Sequence, residues 1–245
     1  MTRTDPVVPT IAQLLDQFLQ TQRGRLRPRT LKRYEEVLAL LAHSLNGYAY
    51  QSLSESDASL LDQSSNETAK SSRTFCELFG AEHLVANLDG FLGYYLVRKV
   101  IAGQELLRAS GTVTKRLFKW LAANGHIGAV DAEYAAESSG TASKELPRAE
   151  RAARSLREYA EQLVVDVAAL PESDYWEFDQ FPISRVEPQQ IWFEIFHDGT
   201  LRELGPVPAP ESATRLLRPG WSVSCSLGRV REAWRLLEVA SIYPM

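Results

Sequence analysis

The stretch Ile191-Trp192-Phe193-Glu194-Ile195-Phe196-His197-Asp198-Gly199-Thr200-Leu201 decides how the chain is read. Ile191, Phe193 and Ile195 alternate with Trp192, Glu194 and Phe196, the period of two that belongs to a strand. Asp198-Gly199 then signals a two-residue hairpin turn, whose central positions need the positive φ that these residues tolerate. The same alternation extends outward on both sides. Trp176 and Phe178 alternate with Glu177 and Asp179, and Leu201 and Leu204 follow the turn. Beyond a short helical stretch from Pro210 to Leu217 and a turn at Pro219-Gly220, Val223, Cys225 and Leu227 alternate with Ser222, Ser224 and Ser226. Trp234 to Val239 pairs back on them. About five strands after Pro171 predict a small β-barrel of SH3-like or OB-like type.

Upstream of Pro171 the period changes to that of helices, so the chain belongs to the α+β class. Thr10 and Gln13 form a capping box ahead of Ile11, Leu14, Leu15, Phe18 and Leu19. Pro28-Arg29-Thr30 predicts a second helix capped by Thr30, with Leu31, Tyr34, Leu38, Leu41 and Leu45 on one face and Gly47 at its end. Residues 52–73, rich in Ser, Asp and Glu, predict loops with a short helix. Asp89 is expected to cap a helix that is apolar nearly all round. Ser110 or Thr112 is expected to open the next, closed by Gly125. Ser138-Ser139-Gly140-Thr141-Ala142-Ser143 reads as a flexible boundary. Leu146, Ala149, Ala153, Leu156, Ala160, Leu163, Val167 and Leu170 then repeat in heptads. This seam is either a helix laid against one of the domains or a self-association surface over 145–170. The expected organisation is therefore a helical domain over 1–137, a boundary and linker helix over 138–170, and a β domain over 171–245.

Composition narrows the function classes. The chain has 245 residues, a net charge of -4 and 44% apolar residues, an ordinary globular balance. No apolar run approaches the roughly 20 residues of a membrane helix. Met1-Thr2-Arg3-Thr4-Asp5-Pro6 has no signal-peptide pattern, and Cys76 and Cys225 are too few for a disulfide framework, so a reducing cytoplasm is expected. His43, His83, His126 and His197 have no partner at metal-ligand spacing, and no phosphate-cradling or dinucleotide glycine motif occurs, so no metal or cofactor is expected. No nucleophile elbow is present, and the chain is read as having no catalytic residues.

Charge is uneven. Residues 1–135 carry 15 basic against 14 acidic side chains, whereas 171–245 carry 7 against 11. The densest basic stretch is Arg23, Arg25, Arg27, Arg29, Lys32 and Arg33, around a helix start where free N–H groups and the helix dipole favour phosphate. Glu35 and Glu36 offer the alternative of a solvated, self-compensated face. A second group, Thr112, Lys115, Arg116 and Lys119, sits at the expected start of a later helix. In the β segment, Trp192 and Phe196 are expected to face outward, as a base-stacking surface or under a covering element.

The order Thr10 to Phe18, then Leu26-x-Pro28-x-Thr30-x-x-x-Tyr34, then Thr114-x-x-Leu117-x-x-Trp120-Leu121-x-x-x-Gly125-His126-Ile127 resembles the N-terminal, SAM-like core-binding domain of phage integrases and other tyrosine recombinases. The likeness covers roughly residues 8–128, with a longer segment at 46–90 than the family usually has. It implies a helical module that grips DNA. Arg27, Arg29, Thr30 and Arg33 would contact the backbone from one helix start, and Thr112, Lys115, Arg116 and Lys119 from another; Arg25 and Lys32 are read as DNA-binding with them because they belong to the same basic stretch. The family's catalytic domain has no counterpart in the later residues. His197 is followed by Asp198-Gly199-Thr200 where the family has His-x-x-Arg, and no lysine follows Lys144. Strand cleavage needs such charges to stabilise a pentavalent phosphate.

The sequence therefore leads to a non-catalytic DNA-binding or DNA-associated protein. The alternative is a protein-interaction scaffold that has the same helical fold and no DNA affinity.

Overall fold

A computed structural model describes residues 8–65 and 72–244. The reading of the first six residues and part of the 52–73 expectation lie outside these. The chain is mixed α and β, and it divides between Ser143 and Lys144 into two compact units.

The described elements of the first unit are helical. Helix α1 (Ile11–Arg23) starts at the Thr10/Gln13 box: Thr10 N donates to Gln13 Oε1 at 3.0 Å, and Gln13 N donates to Thr10 Oγ1 at 3.4 Å. Helix α2 (Pro28–Tyr48) buries Tyr34, Val37, Leu38, Leu41 and Leu45 along one face. Its N-cap is Arg27, so Thr30 lies inside the first turn and caps nothing. Proline explains the shift: its ring fixes a helical φ and its missing N–H is harmless at the first helical position. The helix also continues through Gly47, and Ala49 is its C-cap.

Helices α3 (Glu55–Ser65), α4 (Phe75–Leu78) and α5 (Glu82–Ala86) follow, α4 opened by a second capping box, Thr74 with Glu77. A π-helical segment, Gly90–Tyr95, then leads into α6 (Leu96–Arg98). Asp89 is already helical and makes no capping bond. Its carboxylate accepts instead from Tyr134 Oη and, at 2.9 Å, from Ser138 Oγ.

Helix α7 (Gln104–Ala123) begins after Gly103, so Ser110 and Thr112 lie mid-helix. Their hydroxyls donate back to Leu106 O and Arg108 O, which lets a helix interior hold them. Gly125, at φ +72, terminates the helix as expected of a C′ residue. Phe18, Phe75, Phe91 and Phe118 are fully buried, and Phe18 packs on Tyr34 and Trp120 with ring centroids 6.1 and 5.8 Å apart.

Helix α8 (Ala129–Ala160) runs through residues 138–143, so the expected flexible boundary is regular helix. The small side chains there serve close packing. Ala135, Ser139 and Ala142 are completely buried, and a Cβ on Gly111 would fall 2.5 Å from Ser139 O. The α7 and α8 backbones meet at that glycine.

In the second unit, five antiparallel strands form one sheet: β1 (Tyr175–Glu187), β2 (Gln190–His197), β3 (Thr200–Pro208), β4 (Ser222–Val230) and β5 (Ala233–Tyr243). Their order across the sheet is β3-β2-β1-β4-β5. The Asp198-Gly199 turn has φ of 48° and 74°, as a two-residue hairpin demands. A short helix, α9 (Glu211–Thr214), precedes β4. Ala149, Ala153, Leu156 and Ala160 of α8 are buried in the same core as Phe181, Ile191, Phe193, Val223 and Leu227. The sheet thus takes up the helical part of the heptad seam. Helix α8 stops at Ala160, so Leu163, Val167 and Leu170 lie beyond it and no 145–170 coiled-coil stripe is present.

Candidate nucleic-acid interface

The first basic group surrounds the turn between α1 and α2. Arg25, Arg27, Arg29 and Lys32 are exposed. No side chain caps α2, which leaves its leading N–H groups for solvent or an anion. Arg33 is half-buried and already answered: its guanidinium pairs with Glu36 at 2.7 Å and with Glu105 at 3.5 Å. Arg29 reaches the same Glu105 at 4.0 Å, with both side chains mostly exposed, so that pair holds it weakly. Arg25, Arg27 and Lys32 have no ion pair among the described residues.

The second group differs from its expectation. Thr112, Lys115, Arg116 and Lys119 lie in the middle of α7, where every backbone N–H is used within the helix, so only their side chains could meet a phosphate. Thr112 Oγ1 donates to Arg108 O at 3.0 Å. Arg116 donates to Tyr34 Oη and sits 5.9 Å from the centre of that ring. Lys115 turns toward α8, its Nζ 3.4 Å from where a Gly140 Cβ would stand. Lys119 and Thr30 are exposed. The structure therefore brings Arg29, Arg33 and Arg116 to the α2–α7 seam and leaves Lys115 on another side of α7.

The sequence reading missed Glu105 as a partner of Arg33, and it placed Tyr34 on the buried face of α2 without its bond from Arg116. Glu105 is 72 residues from Arg33, and only the packing of α2 on α7 reveals the pairing.

The aromatic expectation divides in the same way. Phe196 is 70% exposed, opposite Leu201. Trp192 is buried, a correction with two causes. Arg185 lies over its ring at 3.8 Å, and the Gly205 backbone comes so close that a Cβ there would be 2.5 Å from Trp192 Cδ1. Alternation placed this indole on the outer face, but a long cationic side chain roofs it.

Both cysteines are buried. Burial pushes the Cys76 thiol up to about 12, with a smaller contribution from Glu77, and burial raises that of Cys225 as well; neither is primed as a nucleophile. Among the described residues no cluster of three or more His, Cys, Asp or Glu could hold a metal, and no helix is long and apolar enough to cross a membrane. No protein-family model matches the chain, and neither a curated protein nor a solved structure is significantly similar to it.

Proposed function

We propose that this is a non-catalytic DNA-binding protein that grips the phosphate backbone at the α1–α2 turn. One observation carries the reading: Arg25, Arg27, Arg29 and Lys32 stand exposed around a helix N-terminus that no side chain caps. Positive charge and free N–H groups at one place are what a phosphate ester needs. Arg116 and Lys119 extend the positive surface along α7. The integrase-like order of the helix motifs supports a SAM-like core-binding fold for the helical unit. The nearness of the two outer strands, β3 and β5, supports a small-barrel reading of the sheet. Such contacts position without specifying, so binding should tolerate sequence changes.

A second reading, a protein-interaction scaffold without DNA affinity, is favoured by one finding: Glu36 and Glu105 neutralise Arg33, and Glu105 also reaches Arg29.

Fluorescence anisotropy of labelled duplex and single-stranded DNA at several salt concentrations separates the two. The first reading expects affinity to fall steeply with salt. It also expects the Arg25→Gln/Arg27→Gln/Lys32→Gln variant to flatten the log–log slope by about one per cation removed. Equal and negligible binding by both proteins would overturn the DNA reading and favour the scaffold.

A further inference from the structure

The sheet unit carries a groove that the DNA reading leaves unused. Strands β1 and β2 are laddered only from Ile183↔Phe193 to Glu187↔Gln190. Before that point, the Tyr175–Pro182 part of β1 pairs with β4 alone, and the Glu194–His197 part of β2 pairs with β3 alone. The two strands part there around a groove of about 390 Å³. Trp176, ring edge against His197 at 5.2 Å, stands at the far end.

Three features define what would fill it. Phe178, Phe196 and Leu201 line it while 40%, 70% and 64% exposed, an apolar concentration unusual for a solvated strand end. Glu177, Asp179 and Glu194 stand among them, and none has an ion-pair partner among the described residues. The β1 edge facing the groove has no ladder there, and Asp179 Oδ1 accepts from the Gln180 N–H at 2.7 Å, a local substitute for a strand partner. Uncompensated carboxylates repel a phosphate backbone, so these aromatics are poorly placed to stack nucleic-acid bases. They suit an extended polypeptide with apolar side chains on one face and cations between them.

We infer that this groove docks an extended segment of a partner protein in which basic and apolar residues alternate. The apolar side chains enter between Phe178 and the Phe196/Leu201 pair, and the cations meet Glu177, Asp179 and Glu194. The inference does not depend on the DNA reading.

The test uses the full chain and a fluorescein-labelled decapeptide of alternating lysine and valine, with a glutamate–valine decapeptide as its counterpart. Saturable binding of the lysine peptide alone is expected. The Glu177→Gln/Asp179→Asn/Glu194→Gln variant should weaken it about tenfold or more, as should Phe196→Ser/Leu201→Ser. The Arg25→Gln/Arg27→Gln/Lys32→Gln variant should leave it unchanged. All the groove substitutions are at exposed or half-exposed positions, and the isosteric charge variant remains decisive should the serine variant lose its fold. Absence of saturable binding overturns the inference. So does full affinity in the charge variant or in a folded serine variant, equal binding of the glutamate peptide, or displacement by single-stranded oligodeoxythymidine.

Discussion

Tyr134 and Asp89 show how single side chains set the geometry of the helical unit. The Tyr134 phenol donates to Asp89, which sits directly before the π-helical Gly90–Tyr95 segment. That hydrogen bond, helped by partial burial and by the Asp89 charge, raises the phenol to about 12. The bond belongs to the protonated phenol, and the folded value lies above the ordinary one near 10. The stabilisation is therefore complete below about pH 10 and is lost as pH rises toward 12. Tyr134→Phe should cost about 0.5–1 kcal/mol at pH 7, the modest value suited to an exposed bond. The difference between wild type and variant should shrink between pH 10 and 12, as urea unfolding at several pH values would reveal. At this scale the sequence disclosed only what is contiguous. Arg25, Arg27, Arg29 and Lys32 are legible as a cluster because a turn keeps sequence neighbours together. The pairing of Arg33 with Glu105, and the burial of Trp192 under Arg185, arise from elements that meet only in three dimensions.

Among the elements, α7 and α8 illustrate how small residues mislead. Ser and Thr favour caps, so Ser110 and Thr112 pointed to a helix start, yet their hydroxyls bond to carbonyls one turn back and the helix passes through them. The run of small residues from Ser138 to Ser143 has the composition of a linker, and the same composition allows two helices to approach closely. Gly111 is the point of nearest approach, with Ser139 O and Ser143 N both 2.5 Å from a prospective Cβ. Neither backbone can yield cheaply. Gly111→Ala should therefore lower the unfolding free energy by about 1–3 kcal/mol despite alanine's better helix propensity, measured as a shift in urea midpoint at constant slope. An unchanged or raised midpoint would mean that the helices are not in backbone contact. The strands were more legible than the helix ends, because period-two alternation and the Asp198-Gly199 turn are local signals that tertiary packing rarely overrides.

For the molecule as a whole, the division at Ser143/Lys144 falls inside α8, at the end of the 138–143 run whose composition marks a boundary; what that composition does not disclose is that the helix passes through it unbroken. The sheet's core includes Ala149, Ala152, Ala153, Leu156 and Ala160, so the last turns of α8 are as much part of that unit as its strands. Residues 144–245 alone should unfold cooperatively in urea. Residues 161–245, deprived of those side chains, should show no cooperative transition by circular dichroism. A cooperative transition in the shorter piece would mean that the sheet closes its core without the helix. The two units also differ in a way that experiment can exploit. Trp120, packed against Phe18, is the single tryptophan before Ser143, while Trp176, Trp192, Trp221 and Trp234 all lie beyond it. A Trp120→Phe substitution silences the helical unit's indole emission, so the variant's fluorescence trace follows the melting of the sheet unit and its difference from wild type follows that of the helical unit, within one intact polypeptide.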